Sequence, residues 1–206
     1  ADHRDRILHR NAVAGGARGA VRCQADEVAE HAHIGTGDTV LVKTPYALVT
    51  TGHQMHGAAR LAGAMVIPAD NRSSNMPYSR VLRLLRDLSV TIAWCMPTEA
   101  LLWAYLSKQM EFDPKHDFPF LRALLVAGEV LSPAKKRFLS KIWGGKLIAE
   151  DYGSTETGSL AGECNAGFMH GWSDRIYFET REGSLIVTPL FREAMPLVRY
   201  DMEDEV

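Results

Sequence analysis

The hydrophobic positions of this chain fall into two alternating registers. Short apolar runs with few charges, bounded by Gly, Pro or Asp, occur at Thr39 to Val42, Ala64 to Ile67, Thr91 to Cys95, Arg122 to Val126 and Lys146 to Ala149. That is the pattern of strands buried on both faces. Between them the apolar period lengthens to that of a helix, over roughly Thr51 to Leu61, Tyr78 to Asp87, Thr98 to Gln109 and Pro133 to Ile142. In the second of these, Val81, Leu82, Leu84, Leu85 and Leu88 form one stripe while Arg80, Arg83 and Arg86 take the opposite face. Ser132 and Pro133 supply an N-cap and a first helical residue. Strict alternation predicts βαβ units, and hence an α/β fold with a doubly wound parallel sheet and flanking helices. After Tyr152 the pattern changes. Arg175 to Glu179 and Ser184 to Thr188, set among Gly-rich loops, predict a small antiparallel β region at the C-terminal end. The expected organisation is a flavodoxin-like α/β core over 1–150 and a nucleotide-loop and small β region over 151–206. No linker composition separates them, which predicts one body.

Composition narrows the class of function. Of 206 residues, 46% are hydrophobic and 23% charged, enough apolar material for an ordinary globular core. The net charge is −2 with both signs interspersed, which argues against a nucleic-acid or anionic-membrane surface. No apolar run approaches the roughly 18 residues of a membrane span, and the opening ADHRDRILHR is charged where a signal peptide is apolar. The expectation is a cytoplasmic protein. Cys23, Cys95 and Cys164 are far apart and odd in number, which fits thiols better than a disulfide framework.

The densest chemistry lies in EDYGSTETG, Glu150 to Gly158, which follows a predicted strand. Ligands of open parallel sheets sit at the carboxyl ends of the strands. There the glycines would let backbone approach a ligand, Ser154 and Thr155 would donate to phosphate oxygens, Tyr152 offers a flat face and Glu156 can hold a divalent cation. A second strand-end loop, VAGEVLSP, runs from Val126 to Pro133. Together the two loops predict a nucleotide pocket. The competing reading is a plain turn with a solvated Glu156.

DYGSTETG resembles the tyrosine-glycine-x-threonine-glutamate signature of the adenylate-forming superfamily of acyl-CoA synthetases, adenylation domains and luciferases. AGEVLSP is similar to the Gly/Ala-Glu loop that precedes that signature. TPLFREAMPLVRYDMEDEV, Thr188 to Val206, and GDTVLVKTPYALVTTGHQMHGAARLAGAMVIPA, from Gly37, resemble phenylacetate-CoA ligases in order and spacing. The resemblance covers about Arg6 to Asp204. It implies that Gly128 and Glu129 border the adenine and acyl pocket, with Asp151, Tyr152, Gly153 and Ser154 in the nucleotide loop. Tyr152 would stack on adenine, Thr155 contact phosphate, Glu156 help bind magnesium and Asp204 hold the ribose hydroxyls. Tyr46, Val49 and Gly52 would lie along the side chain of a small aryl or acyl carboxylic acid. The implied chemistry is attack of the carboxylate on the α-phosphate of ATP, giving an acyl-AMP, then transfer to CoA or a carrier thiol.

The sequence also departs from that pattern. The expected hydroxyl-rich phosphate loop is represented by HRNAVAGGARGAVR, His9 to Arg22, with Ala12, Ala14 and Ala17 where hydroxyls would be wanted, though backbone amides could still cradle an anion and Arg18 could supply charge. Losing several donors, each worth about 0.5 to 1.5 kcal/mol, weakens the hold on the β,γ-phosphates. On the resemblance, the family's mobile C-terminal domain and its lysine are expected to begin about where this sequence stops, and Asp201, Glu203 and Glu205 crowd Asp204 with negative charge. Two readings stay open: a truncated acid ligase needing its missing parts in trans, or a remodelled relative that binds an acyl ligand or acyl carrier without ATP. A core without its flanking domains is also expected to expose apolar surface and to form a homodimer. His53 and His56, three apart on one helix face, are candidates for a base, with His53 nearer the pocket loop. Cys164 and His170 are two of the four ligands a zinc site needs, with Cys23 and His31 as remote completions. Trp94, Trp103 and Trp143 are expected in the core, and Trp172 either borders a ligand or anchors its loop.

Overall fold

The computed structural model describes residues 33–205, apart from 72, 165, 191 and 193. The phosphate-loop stretch His9 to Arg22, Cys23 and His31 lie outside the described residues. Contacts divide the rest between Trp172 and Ser173 into a larger and a smaller unit.

The larger unit is built from β1 (Thr39–Val42), α1 (Thr51–Leu61), β2 (Met65–Pro68), α2 (Tyr78–Asp87), β3 (Ile92–Cys95), α3 (Pro97–Gln109), β4 (Ala123–Val126), α4 (Pro133–Ile142), β5 (Leu147–Ser154), β6 (Gly158–Glu163) and β7 (Met169–Gly171). Its seven strands form one sheet in the order β2-β1-β3-β4-β5-β6-β7. The first five are parallel, with Val40 opposite Val66 and Ile92, and Leu124 opposite Ala93 and Ile148. Alternate residues of these short strands feed two cores, because successive side chains point to opposite faces. Leu41, Ala93, Cys95, Leu124, Val126 and Ile148 pack with Val81, Leu82, Leu85, Trp103, Leu139 and Trp143 of α2, α3 and α4. Val40, Val42, Ile92, Trp94, Leu125 and Ala149 pack on the other face with Met55, Ala58 and Ala59 of α1. The sheet is thus doubly wound, as the alternation predicts. Trp94, Trp103 and Trp143 are buried in it, and Trp143 Nε1 donates to the Ala100 carbonyl at 3.1 Å, tying α4 to α3.

Local signals set the helix bounds. Ser132 Oγ accepts from the Lys135 N–H at 3.2 Å, with Pro133 in first position. In α2, Val81, Leu82 and Leu85 are buried and Leu84 half-buried, while Leu88, just past the last turn, is exposed.

Three strands depart from the sequence expectation. The Glu150 to Gly158 segment is not a loop after a four-residue strand. β5 pairs in parallel with β4 only as far as Glu150 opposite Val126, then continues as Asp151 to Ser154 paired antiparallel with β6. β7 follows with Ala161 opposite Gly171 and Gly162 opposite His170. Residues 151–172 therefore extend the large sheet.

The smaller unit is a three-stranded antiparallel sheet, β8 (Ile176–Arg181), β9 (Ser184–Pro189) and β10 (Tyr200–Glu205), with β9 in the middle. Ile176, Leu185, Ile186 and Val187 are its buried residues. β10 is the acidic YDMEDE. It forms a strand because Tyr200 and Asp201 pair with Val187 and Ile186, before a bulge that carries Glu203 at φ 57. Among the described residues no helix is long and apolar enough to cross a membrane.

Candidate functional site

Strand order determines where a crevice opens. The chain passes from β1 outward to β2, returns across to β3 and then runs the other way to β4 and β5, so the order reverses between β1 and β3. Ligands of such sheets bind outside the carboxyl ends at that reversal. The residues just past β1 are Lys43 and Thr44; those past β3 lead into α3 and Glu99.

This position holds a charged cluster inside the protein. Lys43 and Glu99 are both buried. Lys43 Nζ donates to the Asp70 carbonyl and lies 5.8 Å from the centre of the Tyr78 ring, and Tyr78 OH donates to Glu99 Oε1 at 3.3 Å. Burial pulls the Lys43 ammonium down and pushes the Glu99 carboxyl up, in each case against the attraction of the other. Glu99 Oε2 finds no hydrogen-bond partner, and neither do the buried atoms Thr44 Oγ1, next along the chain from Lys43, Asn71 Oδ1, next to Asp70, and Thr50 Oγ1 and Gln54 Nε2. A polar ligand group or water is what such atoms require.

Tyr46, in the loop after β1, is clamped by the first turns of α1. His53 and His56 stand edge-on to its ring, at 5.2 Å and 6.0 Å between centroids. His53 Nε2 bonds the Tyr46 carbonyl at 2.8 Å, His56 Nδ1 bonds its hydroxyl at 3.3 Å, and the Tyr46 N–H donates to Asp70 Oδ1 at 3.2 Å. Burial, with Asp70 adding to it, pushes the Tyr46 phenol up to about 12. Burial, Arg60 and His53 lower the His56 pKa, which favours its neutral form. Gly52 is where α1 meets this loop: its N–H donates to the Pro45 carbonyl at 3.1 Å, and a Cβ there would lie 2.5 Å from that oxygen. Val49 is half-buried in the same loop.

Two further carboxyl-end structures complete the edge. After β4, Gly128 (φ 82) leads to Glu129, whose Oε2 accepts from the Thr98 N–H at 3.0 Å, the Thr98 hydroxyl at 2.5 Å and Lys135 Nζ at 3.2 Å. Burial raises its pKa, but the Thr98 and Lys135 hydrogen bonds outweigh that and hold the carboxyl below the usual range. After β5 comes the hairpin. Thr155 and Glu156 are exposed at its tip, while Ser154 Oγ is engaged within the turn, 3.1 Å from the buried Thr157 Oγ1. At Gly153 a Cβ would lie 2.1 Å from the Gly158 carbonyl oxygen, so β6 occupies the side-chain space. Below the tip, Trp172 Nε1 donates to Ser159 Oγ at 3.0 Å, and Ser159 Oγ donates to Asp151 Oδ2 at 2.6 Å. Asp151 as a residue is half-buried but its carboxyl is enclosed. Burial pushes that carboxyl up to about 7, with Ser159 lowering it and Glu150 raising it.

The sequence pattern of the AMP-binding enzyme family matches residues 7–183, a stretch that includes the loop of Tyr46, the Gly128-Glu129 loop and the β5–β6 hairpin. The chain belongs to that family. It is 28% identical over 184 residues to a phenylacetate-coenzyme A ligase from Pseudomonas putida, covering 82% of this chain and 40% of the ligase. Among solved structures, 2-hydroxyisobutyryl-CoA ligase in complex with 2-HIB-AMP and CoA matches with a TM-score of 0.81 at 20% identity, covering 89% of this chain and 47% of that one. A long-chain-fatty-acid-CoA ligase from Archaeoglobus fulgidus matches with a TM-score of 0.62 at 12% identity, over 82% of this chain and 38% of the other. These likenesses fix the fold. The chain spans less than half the length of these relatives.

As an AMP-binding enzyme chain, it keeps most sequence-predicted residues on one edge. Tyr46 and Val49 lie in the loop after β1, Gly52 and His53 in the first turn of α1, Gly128 and Glu129 in the loop after β4, Asp151 to Ser154 on the antiparallel end of β5, and Thr155 and Glu156 at the hairpin tip. Asp204 is on β10, in the smaller unit, exposed. Trp172 is buried and bonds β6, which is the role of an anchor. Among the described residues no group of three or more His, Cys, Asp or Glu converges as a metal site. The sequence reading missed Lys43 and Glu99. Their signal was a charge set immediately after a wholly apolar strand, and another one turn into the helix that follows one.

Proposed function

We propose that this chain carries the acid- and nucleotide-binding part of an adenylate-forming acid ligase, and activates an aryl or acyl carboxylic acid as its acyl-adenylate. The observation that carries this reading is the family match, with the signature on a hairpin at the carboxyl end of β5, in the same sheet whose switch point is followed by the buried Lys43 and Glu99. In the proposed reaction a carboxylate oxygen of the acid attacks the α-phosphorus of ATP. The bond to the bridging oxygen breaks, and pyrophosphate leaves. Transfer to the thiol of CoA or of an acyl carrier protein follows, with the domain that supports it provided by the same protein or in trans.

The roles proposed for the residues rest on the family resemblance. Tyr152 stacks on adenine and Thr155 donates to phosphate. Gly128 and Glu129 border the nucleotide, with Glu129 already fixed by Thr98 and Lys135. The clamped Tyr46, with Val49 and Gly52, lines the acid, and His53 orients Tyr46 through its carbonyl. Magnesium suits the exposed oxygen donor of Glu156, since it takes one or two carboxylates and fills its remaining positions with phosphate oxygens and water. When bound it neutralises phosphate charge; the protein's share is to orient the acid and the leaving group.

A second reading keeps the acyl and AMP half of the site but not ATP, and the alanines at 12, 14 and 17 favour it. Calorimetric titration with Mg-ATP, AMP and a non-hydrolysable phenylacetyl-adenylate analogue separates the two, with Tyr152→Ala/Asp204→Ala as control. The ligase reading expects all three to bind and the control to lose them. Binding of AMP and the analogue alone moves the chain to the second reading, and no binding of any overturns both. A homodimer is proposed as well, and a single species of about 23 kDa in sedimentation at micromolar concentration would refute it.

A further inference from the structure

The loop that follows β2 is held to the end of β1, and to the loop beyond it, at three atoms of one residue. Asp70, two residues past β2, has a left-handed backbone at φ 54, a conformation that Asp tolerates better than most side chains. Its N–H donates to the Val42 carbonyl at 3.2 Å, beside that of Ala69 at 2.9 Å. Its own carbonyl accepts from the buried Lys43 Nζ. With the backbone fixed at both ends of the residue, the half-buried side chain is aimed: Asp70 Oδ1 accepts from the Tyr46 N–H at 3.2 Å.

Tyr46 is thereby tied at its amide, its carbonyl and its hydroxyl. The carbonyl and hydroxyl bonds go to His53 and His56, at 2.8 Å and 3.3 Å. Both histidines belong to α1, the helix into which the Tyr46 loop runs, so those bonds join the loop to the element that follows it. The amide bond joins it instead to the end of β2 and, through the Asp70 carbonyl, to Lys43. Two residues beyond Tyr46, Leu48 has φ 63 with its side chain 99% exposed. A bulky residue adopts that backbone only where its surroundings impose it, and a fully exposed side chain has no packing with which to hold it. The conformation of this loop is therefore set by its anchors, of which Asp70 is the one from outside α1.

We propose that Asp70 is a positioning residue of the acid pocket: its carboxylate sets the pose of the Tyr46 loop, and so governs how tightly the acid part of an acyl-adenylate is held but not the nucleotide part. This rests on the acid-ligase reading, in which Tyr46 lines the acid. Without the Asp70 acceptor the Tyr46 N–H loses its partner, the peptide turns toward water and the ring moves with it.

The test titrates the full chain with AMP and with the non-hydrolysable phenylacetyl-adenylate analogue. Asp70→Gly removes the carboxylate and suits the left-handed backbone, so the fold is expected to survive, as thermal melts check. It is expected to weaken the analogue roughly threefold to tenfold, as for one lost hydrogen bond, and to leave AMP within about twofold. Asp70→Asn keeps an oxygen acceptor on a residue that tolerates the same backbone, and is expected to restore the analogue's affinity, which separates hydrogen bond from charge. In a Tyr46→Ala background Asp70→Gly is expected to cost nothing further, because its effect runs through Tyr46. Hydrogen exchange reads the same tie in the free chain, with the Tyr46 amide expected to exchange faster in Asp70→Gly than in Asp70→Asn or the unchanged protein. Equal losses of AMP and analogue, no loss of either, no recovery in Asp70→Asn, a full loss on top of Tyr46→Ala, or a collapse of the melting temperature in Asp70→Gly would overturn the proposal and leave the acid-ligase reading standing. An unchanged protein that binds neither ligand would overturn that reading, and the role of Asp70 with it.

Discussion

At the scale of single residues, desolvation loses to hydrogen bonding at some carboxyls, such as Glu129, and outweighs it at others. Asp151 is the clearest case. Its folded pKa, about 7, lies above the ordinary 3.8 because its carboxyl is enclosed, in spite of the Ser159 hydrogen bond. The folded state therefore binds a proton more tightly than the unfolded state. Asp151 leaves stability intact below about pH 4 and removes it as pH rises toward 7, by up to about 4 kcal/mol for three units. Asp151→Asn keeps an acceptor for Ser159 and removes the titration. Denaturant unfolding between pH 4 and 8 is expected to show a flatter stability profile in the variant, which becomes the more stable protein above pH 7. The Lys43–Glu99 pair gives the complementary case. Glu99→Ala leaves the buried Lys43 ammonium with Asp70 as its remaining opposite charge and is expected to destabilise the fold, whereas the double change Lys43→Met with Glu99→Leu is expected to cost less. If the double variant were as unstable as the single, packing rather than charge would explain the cluster.

At the scale of elements, the signature hairpin rests on one missing side chain. Gly153→Ala would put a methyl group 2.1 Å from the Gly158 carbonyl oxygen, across a bulged register. That contact must separate the strands, so the variant is expected to lose about 2 kcal/mol or more of stability, and binding of the adenylate analogue more steeply than Leu82→Ala, a core truncation in α2 worth about 2 to 5 kcal/mol. The two variants compared by thermal melts and titration separate damage to the hairpin from general destabilisation. The same hairpin shows which elements are legible in a sequence. The bounds of α1, α2 and α4 are readable because their apolar stripes, and in α4 the Ser132 cap, are local, and β1, β3 and β4 because both faces are buried, whereas β2, at the sheet edge, is exposed at Met65 and Pro68 rather than buried as its apolar run predicts. Asp151 to Ser154 and the acidic β10 carry residues with low strand propensity and become strands only through pairing with β6 and β9. Glu150 to Gly158 therefore read as a loop, although its place at the carboxyl edge was correctly anticipated. Lys43 and Glu99 escaped notice for the same reason. Their burial depends on Asp70 and Tyr78, which come from other parts of the chain.

At the scale of the molecule, five parallel strands form a scaffold whose carboxyl edge gathers residues from separate parts of the chain, while two antiparallel strands extend that sheet beyond the hairpin. All four tryptophans lie in the larger unit, and one of them, Trp172, donates through Ser159 to Asp151, next to the tyrosine of the signature. Indole emission responds to nearby charge and to changes in its own hydrogen bonding. The protein thus carries a built-in optical probe within two hydrogen bonds of its signature strand. Trp94, Trp103 and Trp143, shielded in the core, supply a steady background. Trp172→Phe would identify the one channel in which both the protonation of Asp151 and the arrival of a ligand at the hairpin can be followed, without any added label.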